Sequence, residues 1–146
     1  MNKPYTKHYE SLSGEITTPA YIFPKFEEGT LPPLKFYTEN AAWDTGAECS
    51  IISPYLAQSL NLKSIGKVEA RGVGHGRGEL CEIAVALPNG KVIHDLQVYC
   101  LDIEDYDILL GMDVINQCDF AITNQNGKTT FSFQSPSSTT IDFSES

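Results

Sequence analysis

Apolar residues recur along this chain in short runs or at every second position, the period of a β-strand with one buried face. Residues 20–26 alternate aromatics and aliphatics around Pro24 and read as a strand whose proline suits an edge. Residues 27–33 form a loop. Residues 34–37 and 41–43 are apolar again and run into Asp44. Ser50-Ile51-Ile52 is short and apolar, and Ser53-Pro54 then predicts a helix start, with serine as N-cap and proline at the first helical position. Leu56 and Leu60 fall four apart and give that helix an inner face, and Asn61 predicts its stop. Residues 68–73 return to strand character, and residues 80–87 alternate with Cys81, Ile83 and Val85 on one face. Asn89-Gly90 predicts a tight hairpin turn, with residues 92–101 as the returning strand. Residues 106–111 form a buried apolar strand ending at Gly111, and residues 112–117 a short helix with Asp113 near its start. A last hairpin runs through residues 120–123, Asn126-Gly127 and residues 129–133. Many short strands, glycine-marked turns and two short helices predict an all-β domain, closed or sandwiched.

The ends of the chain lack this pattern. Residues 1–19 read as a polar arm, flexible or ordered only against a partner. Residues 135–146 read as a loose Ser/Thr-rich tail, which leaves residues 20–134 as the folded domain. At 146 residues a single hydrophobic core is the default, and 41% hydrophobic with 20% charged residues is the composition of a globular chain. The net charge of −9 argues against a nucleic-acid partner, which needs clustered lysine and arginine. No apolar run approaches membrane-spanning length, so no membrane partner is expected. The four cysteines, Cys49, Cys81, Cys100 and Cys118, form no Cys-x-x-Cys pair and have no histidine at ligand spacing, so no metal site is expected. Two disulfides are arithmetically possible. No apolar leader is visible in the polar first ten residues, however, and the thiols are expected to be reduced, mostly buried and cytoplasmic.

The chemistry centres on Asp44-Thr45-Gly46-Ala47, where an apolar run ends in a carboxylate at a sharp turn. Gly46 is expected to permit the turn through a positive φ, and Thr45 to close it by bonding local backbone. A carboxylate in such a setting has a tunable proton affinity. Asp-Thr-Gly is equally a common turn composition. Downstream, Gly72-Val73-Gly74-His75-Gly76-Arg77-Gly78 places four glycines at alternating positions between two strands. It opens no helix, so nucleotide binding is discounted. A flexible loop and a mobile hairpin both fit it. His75 at its tip reads as solvated or as touching substrate. His8 and His94 carry no chemical signal, Cys49 reads as a small packing residue, and no Gly-x-Ser-x-Gly elbow is present.

The order of Asp44-Thr45-Gly46-Ala47, the glycine-rich hairpin and Ile108-Leu109-Leu110-Gly111 resembles the retropepsin-like aspartic proteases, over residues 20–133. The resemblance implies an acid-protease closed β-barrel with one or two short helices. It implies Asp44 as the catalytic aspartate, Thr45 as the residue bracing two catalytic loops, and Gly46 and Ala47 as loop residues whose backbone meets the substrate. Residues 71–79 would be a flap, with Gly72, Val73, Gly74 and His75 near the substrate. Trp43 is larger than the aliphatic residue usual before the triplet. Glu48 stands where retroviral members often carry aspartate, in a substrate-contacting position. Ile108, with Ile51, Ile52 and Val73, is expected to line pockets.

The implied chemistry is hydrolysis of a peptide or protein substrate, without a cofactor, by two carboxylates sharing one proton. One Asp-Thr-Gly per chain supplies half of that pair, because Asp107 and Asp113 lack the turn residues. A twofold homodimer would supply the other half. The alternatives are a non-catalytic module of the same fold that binds peptide or dimerises, and a generic β-barrel binding domain in which the triplet is coincidental.

Overall fold

The computed structural model describes residues 2–70 and 76–145. Its strands are β1 (Lys3–His8), β2 (Thr17–Pro24), β3 (Phe36–Trp43), β4 (Ile51–Ile52), β5 (Gly66–Ala70), β6 (Gly76–Ala86), β7 (Val92–Cys100), β8 (Ile108–Leu110), β9 (Asp119–Thr123) and β10 (Thr130–Ser135). Two short helices, α1 (Pro54–Ser59) and α2 (Met112–Ile115), interrupt them. Strands β2, β3, β8, β4, β7 and β6 lie side by side in that order, and β6 returns to pair with β2 from Tyr21↔Ala86 to Pro24↔Ile83. Six strands therefore close a barrel, which leaves no free edge along the ring. Strand β5 hangs off β6 outside it.

The alternation in β6 does what its pattern predicts. Cys81, Ile83 and Val85 are buried and pack with Ile22, Ile52, Leu56, Val98 and Leu110 in the main core. Helix α1 starts where expected. The Ser53 hydroxyl accepts the Leu56 N–H at 3.1 Å, Leu56 and Leu60 are buried, and Asn61 turns the chain with φ 52°. At Asn126-Gly127 both residues take positive φ, 59° and 72°, as a tight turn between right-twisted strands requires. Pro24 lies beyond the last β2–β3 pair, Ile22↔Phe36, and pairs with β6 alone. It thus occupies a local edge within a closed ring.

Several expectations change. Residues 3–8, read as part of a polar arm, form strand β1, paired antiparallel with β10 from Lys3↔Ser135 to His8↔Thr130. Hydrogen bonding along β10 places this segment, and only Tyr5 and Lys7 in it are half-buried, so its hydrophobic pattern carried little signal. Strands β1, β10 and β9 make a separate three-stranded sheet that packs on the barrel through Phe131 and Phe133. Strand β2 begins at Thr17 rather than Ala20, with an irregular register between Thr18 and Ala20 that absorbs Pro19. In the tail, the Asp119 carboxylate accepts hydrogen bonds from the Ser137 hydroxyl and from the N–H groups of Ser138 and Thr139 at 2.7 and 3.0 Å. Of the cysteines only Cys81 is fully buried. Cys49, Cys100 and Cys118 are half-buried, and all four are unpaired. No helix among the described residues is long and apolar enough to cross a membrane.

Candidate active site

Strand β3 carries the candidate carboxylate to the end of the barrel. Ala41 and Ala42 are buried, and their small side chains let β3 lie close to its neighbours. Trp43 is accommodated by a specific arrangement. Its indole N–H donates to the buried Thr18 hydroxyl at 3.0 Å, and its ring lies 5.2 and 4.8 Å from those of Phe131 and Phe133. The large residue therefore ties the barrel to the three-stranded sheet immediately before Asp44.

Strand β8 runs parallel to β3, with Ala42 opposite Leu109 and Trp43 opposite Leu110. The ladder continues one step further, since the Asp44 N–H donates to the Leu110 carbonyl at 2.8 Å. Asp44 itself is half-buried, and its Oδ1 accepts the Gly46 N–H at 2.9 Å. The Ala47 N–H reaches back to the Asp44 carbonyl at 3.3 Å. The turn is thus closed by Asp44, not by Thr45. Thr45 is exposed and makes no side-chain hydrogen bond among the described residues. Gly46 does not take a positive φ either. A Cβ at Gly46 would stand 3.2 Å from Asp44 Oδ1, so glycine serves the close approach of loop to carboxylate rather than the handedness of the turn.

A second set of bonds pins the loop from below. The Met112 and Asp113 N–H groups, at the start of α2, donate to the Ala47 and Glu48 carbonyls at 2.7 and 3.2 Å. The Asp113 carboxylate accepts the Ser50 N–H at 2.8 Å and the Ser50 hydroxyl at 2.7 Å. The Ser50 oxygen in turn accepts the Gly111 N–H at 3.0 Å. Gly111 is the hinge of this contact, because a Cβ there would fall 2.7 Å from the Ala47 carbonyl oxygen and 2.9 Å from Cys49 backbone. Ser50 and Asp113 were not singled out as functional by sequence reasoning. The available signal was an acidic residue in the first turn of a helix that directly follows an apolar-apolar-Gly strand.

The other expected site residues separate. Glu48 lies beside Asp44 on the turn, with its side chain exposed. Ile108, expected at a pocket, is fully buried in the main core, as is Ile52, so neither lines an open surface. Ile51 belongs to a smaller cluster with Ala42, Leu101, Ile103 and Leu109, against which Tyr99 and Tyr106 pack half-exposed. The expected flap residues Gly72, Val73, Gly74 and His75 lie outside the described residues. The strands on either side of them, β5 and β6, pair antiparallel from Gly66↔Leu80 to Ala70↔Gly76.

No family model matches this chain, and no curated protein matches it. Among solved structures it is similar to a retropepsin-like aspartic protease from Rickettsia conorii, with 13% sequence identity and a TM-score of 0.56. The likeness covers 92% of this chain and 96% of that one. Taken with the six-strand closure and the two short helices, it shows that the chain has the retropepsin-like acid-protease fold.

Proposed function

We propose that this chain is an aspartic endopeptidase whose active form is a twofold homodimer. The observation that carries the reading is Asp44. It sits at the end of a barrel strand, fixed by its own N–H to β8 and by its carboxylate to Gly46, on a turn that solvent can reach. A side chain serving only a turn would not need the second tier of bonds from α2.

In the dimer each chain contributes one Asp44 across the axis. Two carboxylates in contact repel when both are charged, so the pair shares one proton. The ionised carboxylate takes a proton from water as the water oxygen attacks the peptide carbonyl carbon. The protonated one gives its proton to the carbonyl oxygen, forming a neutral tetrahedral diol. Collapse breaks the C–N bond, with the proton passing to the leaving nitrogen. Thr45, exposed and without a side-chain hydrogen bond among the described residues, is available to brace the two loops against each other. Gly46, Ala47 and Glu48 border the substrate in this reading, and Gly72, Val73, Gly74 and His75 keep the flap role that the resemblance implies.

Replacing Asp44 with Asn keeps the size and the acceptor for Gly46 but removes the ionisable group. Asp44→Asn is expected to lose peptide cleavage by at least about a thousandfold while keeping its fold and assembly. Cleavage at the wild-type rate by that variant would refute the assignment.

A further inference from the structure

The β2–β3 hairpin carries a row of rings on its outward face. Tyr21 and Tyr37 stand opposite each other in the register, with ring centroids 4.9 Å apart. Phe23 follows Tyr21 at 6.4 Å, Phe26 follows Phe23 at 5.5 Å, and His94 of β7 ends the row at 4.8 Å. On β6 the residues paired with Tyr21 and Phe23 are Ala86 and Ala84, so the rings stand above small neighbours. Tyr21 and Tyr37 are 41% and 48% exposed, although each already touches another ring. Contiguous apolar surface of this kind marks a place where another molecule sits. The Lys35 Nζ lies 5.5 Å from the centre of the Tyr21 ring. Lys25 is held by Glu82 and Asp95 at 3.2 and 3.7 Å, whereas Lys35 has no ion pair among the described residues. Exposed Glu39, two positions beyond Tyr37, bounds the row toward Asp44.

The tip of the same hairpin supplies the complement. Leu31-Pro32-Pro33-Leu34 presents two exposed leucines around two prolines, and Leu31 is 94% exposed, so nothing in its own chain covers it. Glu27 and Glu28 open the same loop, both exposed and without an ion pair among the described residues. The Thr30 N–H donates to the Glu27 carbonyl at 3.1 Å and fixes that part of the loop. One hairpin therefore bears rings with an unpaired cation along its body, and an apolar segment with unpaired anions at its tip.

We propose that two copies of this chain pair through this hairpin, the tip of each lying on the ring row of the other. A twofold pair makes the same contact twice, so one complementary patch and tip per chain suffice. The leucines and prolines leave water against the rings, which supplies the drive. The prolines already restrict the segment, so little freedom is lost on docking. Lys35 of one copy faces Glu27 and Glu28 of the other. An exposed ion pair adds little affinity, but it fixes the register and rejects like charge. Each copy carries −9, and at physiological ionic strength charges beyond about 8 Å are largely screened, so the apolar centre governs. The tip and Asp44 lie at opposite ends of the eight-residue strand β3, on the order of 25 Å apart. The contact leaves Asp44 free and does not depend on its catalytic reading.

The test is sedimentation of the full-length chain at physiological salt, with charges exchanged across the proposed contact. All the altered side chains are exposed, and circular dichroism checks that the fold is kept. Lys35→Glu alone, and Glu27→Lys with Glu28→Lys alone, should each raise the dissociation constant of one association step at least about tenfold, because like charges then meet. Mixed in equal amounts, these two proteins should pair with each other at roughly wild-type strength, since both contacts of the mixed pair again join opposite charges. Leu31→Ser should weaken the same step with no change of charge. A wild type that stays monomeric through the micromolar range would overturn the proposal. So would association indifferent to all three changes, or a mixture that associates no better than its components. Recovery in the mixture supports it whether or not the protein cleaves peptides.

Discussion

Asp44 shows how little of a reactive side chain's setting is its own. Its carboxylate bonds Gly46, and the loop beyond it is held by residues more than sixty positions away. Asp113 is the main support, since it accepts both the N–H and the hydroxyl of fully buried Ser50. Asp113→Ala would leave both donors without their charged acceptor, and hydrogen bonds to a charged group contribute about 1.5–3 kcal/mol each. The variant is expected to lose at least about 2 kcal/mol in urea unfolding, read as a lower midpoint at unchanged slope. Gly111→Ala tests the same contact by volume. Its Cβ would meet backbone atoms at 2.7 and 2.9 Å, and backbone cannot rotate away as a side chain can. A cost of about 1–3 kcal/mol is expected, with cleavage falling further than stability as the loop shifts under Asp44.

At the level of elements, the pairing of β3 with β8 brings the two halves of the site together. It is parallel, and each strand reaches it from a different part of the chain. Trp43 locks this arrangement to the second sheet. Trp43→Phe keeps an aromatic ring among Phe131 and Phe133 but removes the donor to Thr18, whose hydroxyl is fully buried. About 1 kcal/mol of stability should be lost, and Thr18→Val in the same background should recover part of it by removing the orphaned hydroxyl. A double-mutant cycle in thermal unfolding checks this. Strand β1 is the element least marked in sequence. It holds its place by backbone bonds to β10 and by the contact of Tyr5 with Phe133, whose ring centroids lie 5.7 Å apart.

For the whole molecule, assembly and pH make distinct demands. If the active unit needs two Asp44 side chains, activity per chain should fall as the protein is diluted through its dimer dissociation constant, and sedimentation should show the monomer appearing over the same range. Activity independent of concentration, from a monomer, would contradict the dimer. The attachment of the tail has its own dependence on acid. The Ser137 hydroxyl, the Ser138 N–H, Gln134 and the Thr139 N–H hold the Asp119 carboxyl well below the usual carboxylate range. A depressed pKa contributes stability above the unfolded value that is lost as pH falls through the folded one. The hold on the tail should therefore be complete at neutral pH and weaken only below about pH 4. Amide exchange at Ser138 and Thr139 should rise there, and Asp119→Asn should raise it at all pH values.

The sequence by itself determined the local structure. A β period, a serine–proline helix start and Asn-Gly turns depend on neighbours along the chain, and β6, α1 and the last hairpin formed where those signals lie. It also determined which carboxylate stands at the end of a buried strand, because Asp44 follows an apolar run and precedes a turn. Only the tertiary structure decided what depends on distant partners. Strand β1 became a strand because β10 offers it an edge, and Ile108 went to the core because the barrel closes over it. The turn at Asp44 is held by Ser50 and Asp113 because β8 and α2 arrive beneath it. Such contacts join positions whose separation along the chain leaves no periodic trace, so a polar arm gave no sign of its strand, and a helix-start aspartate marked a place without naming its partner.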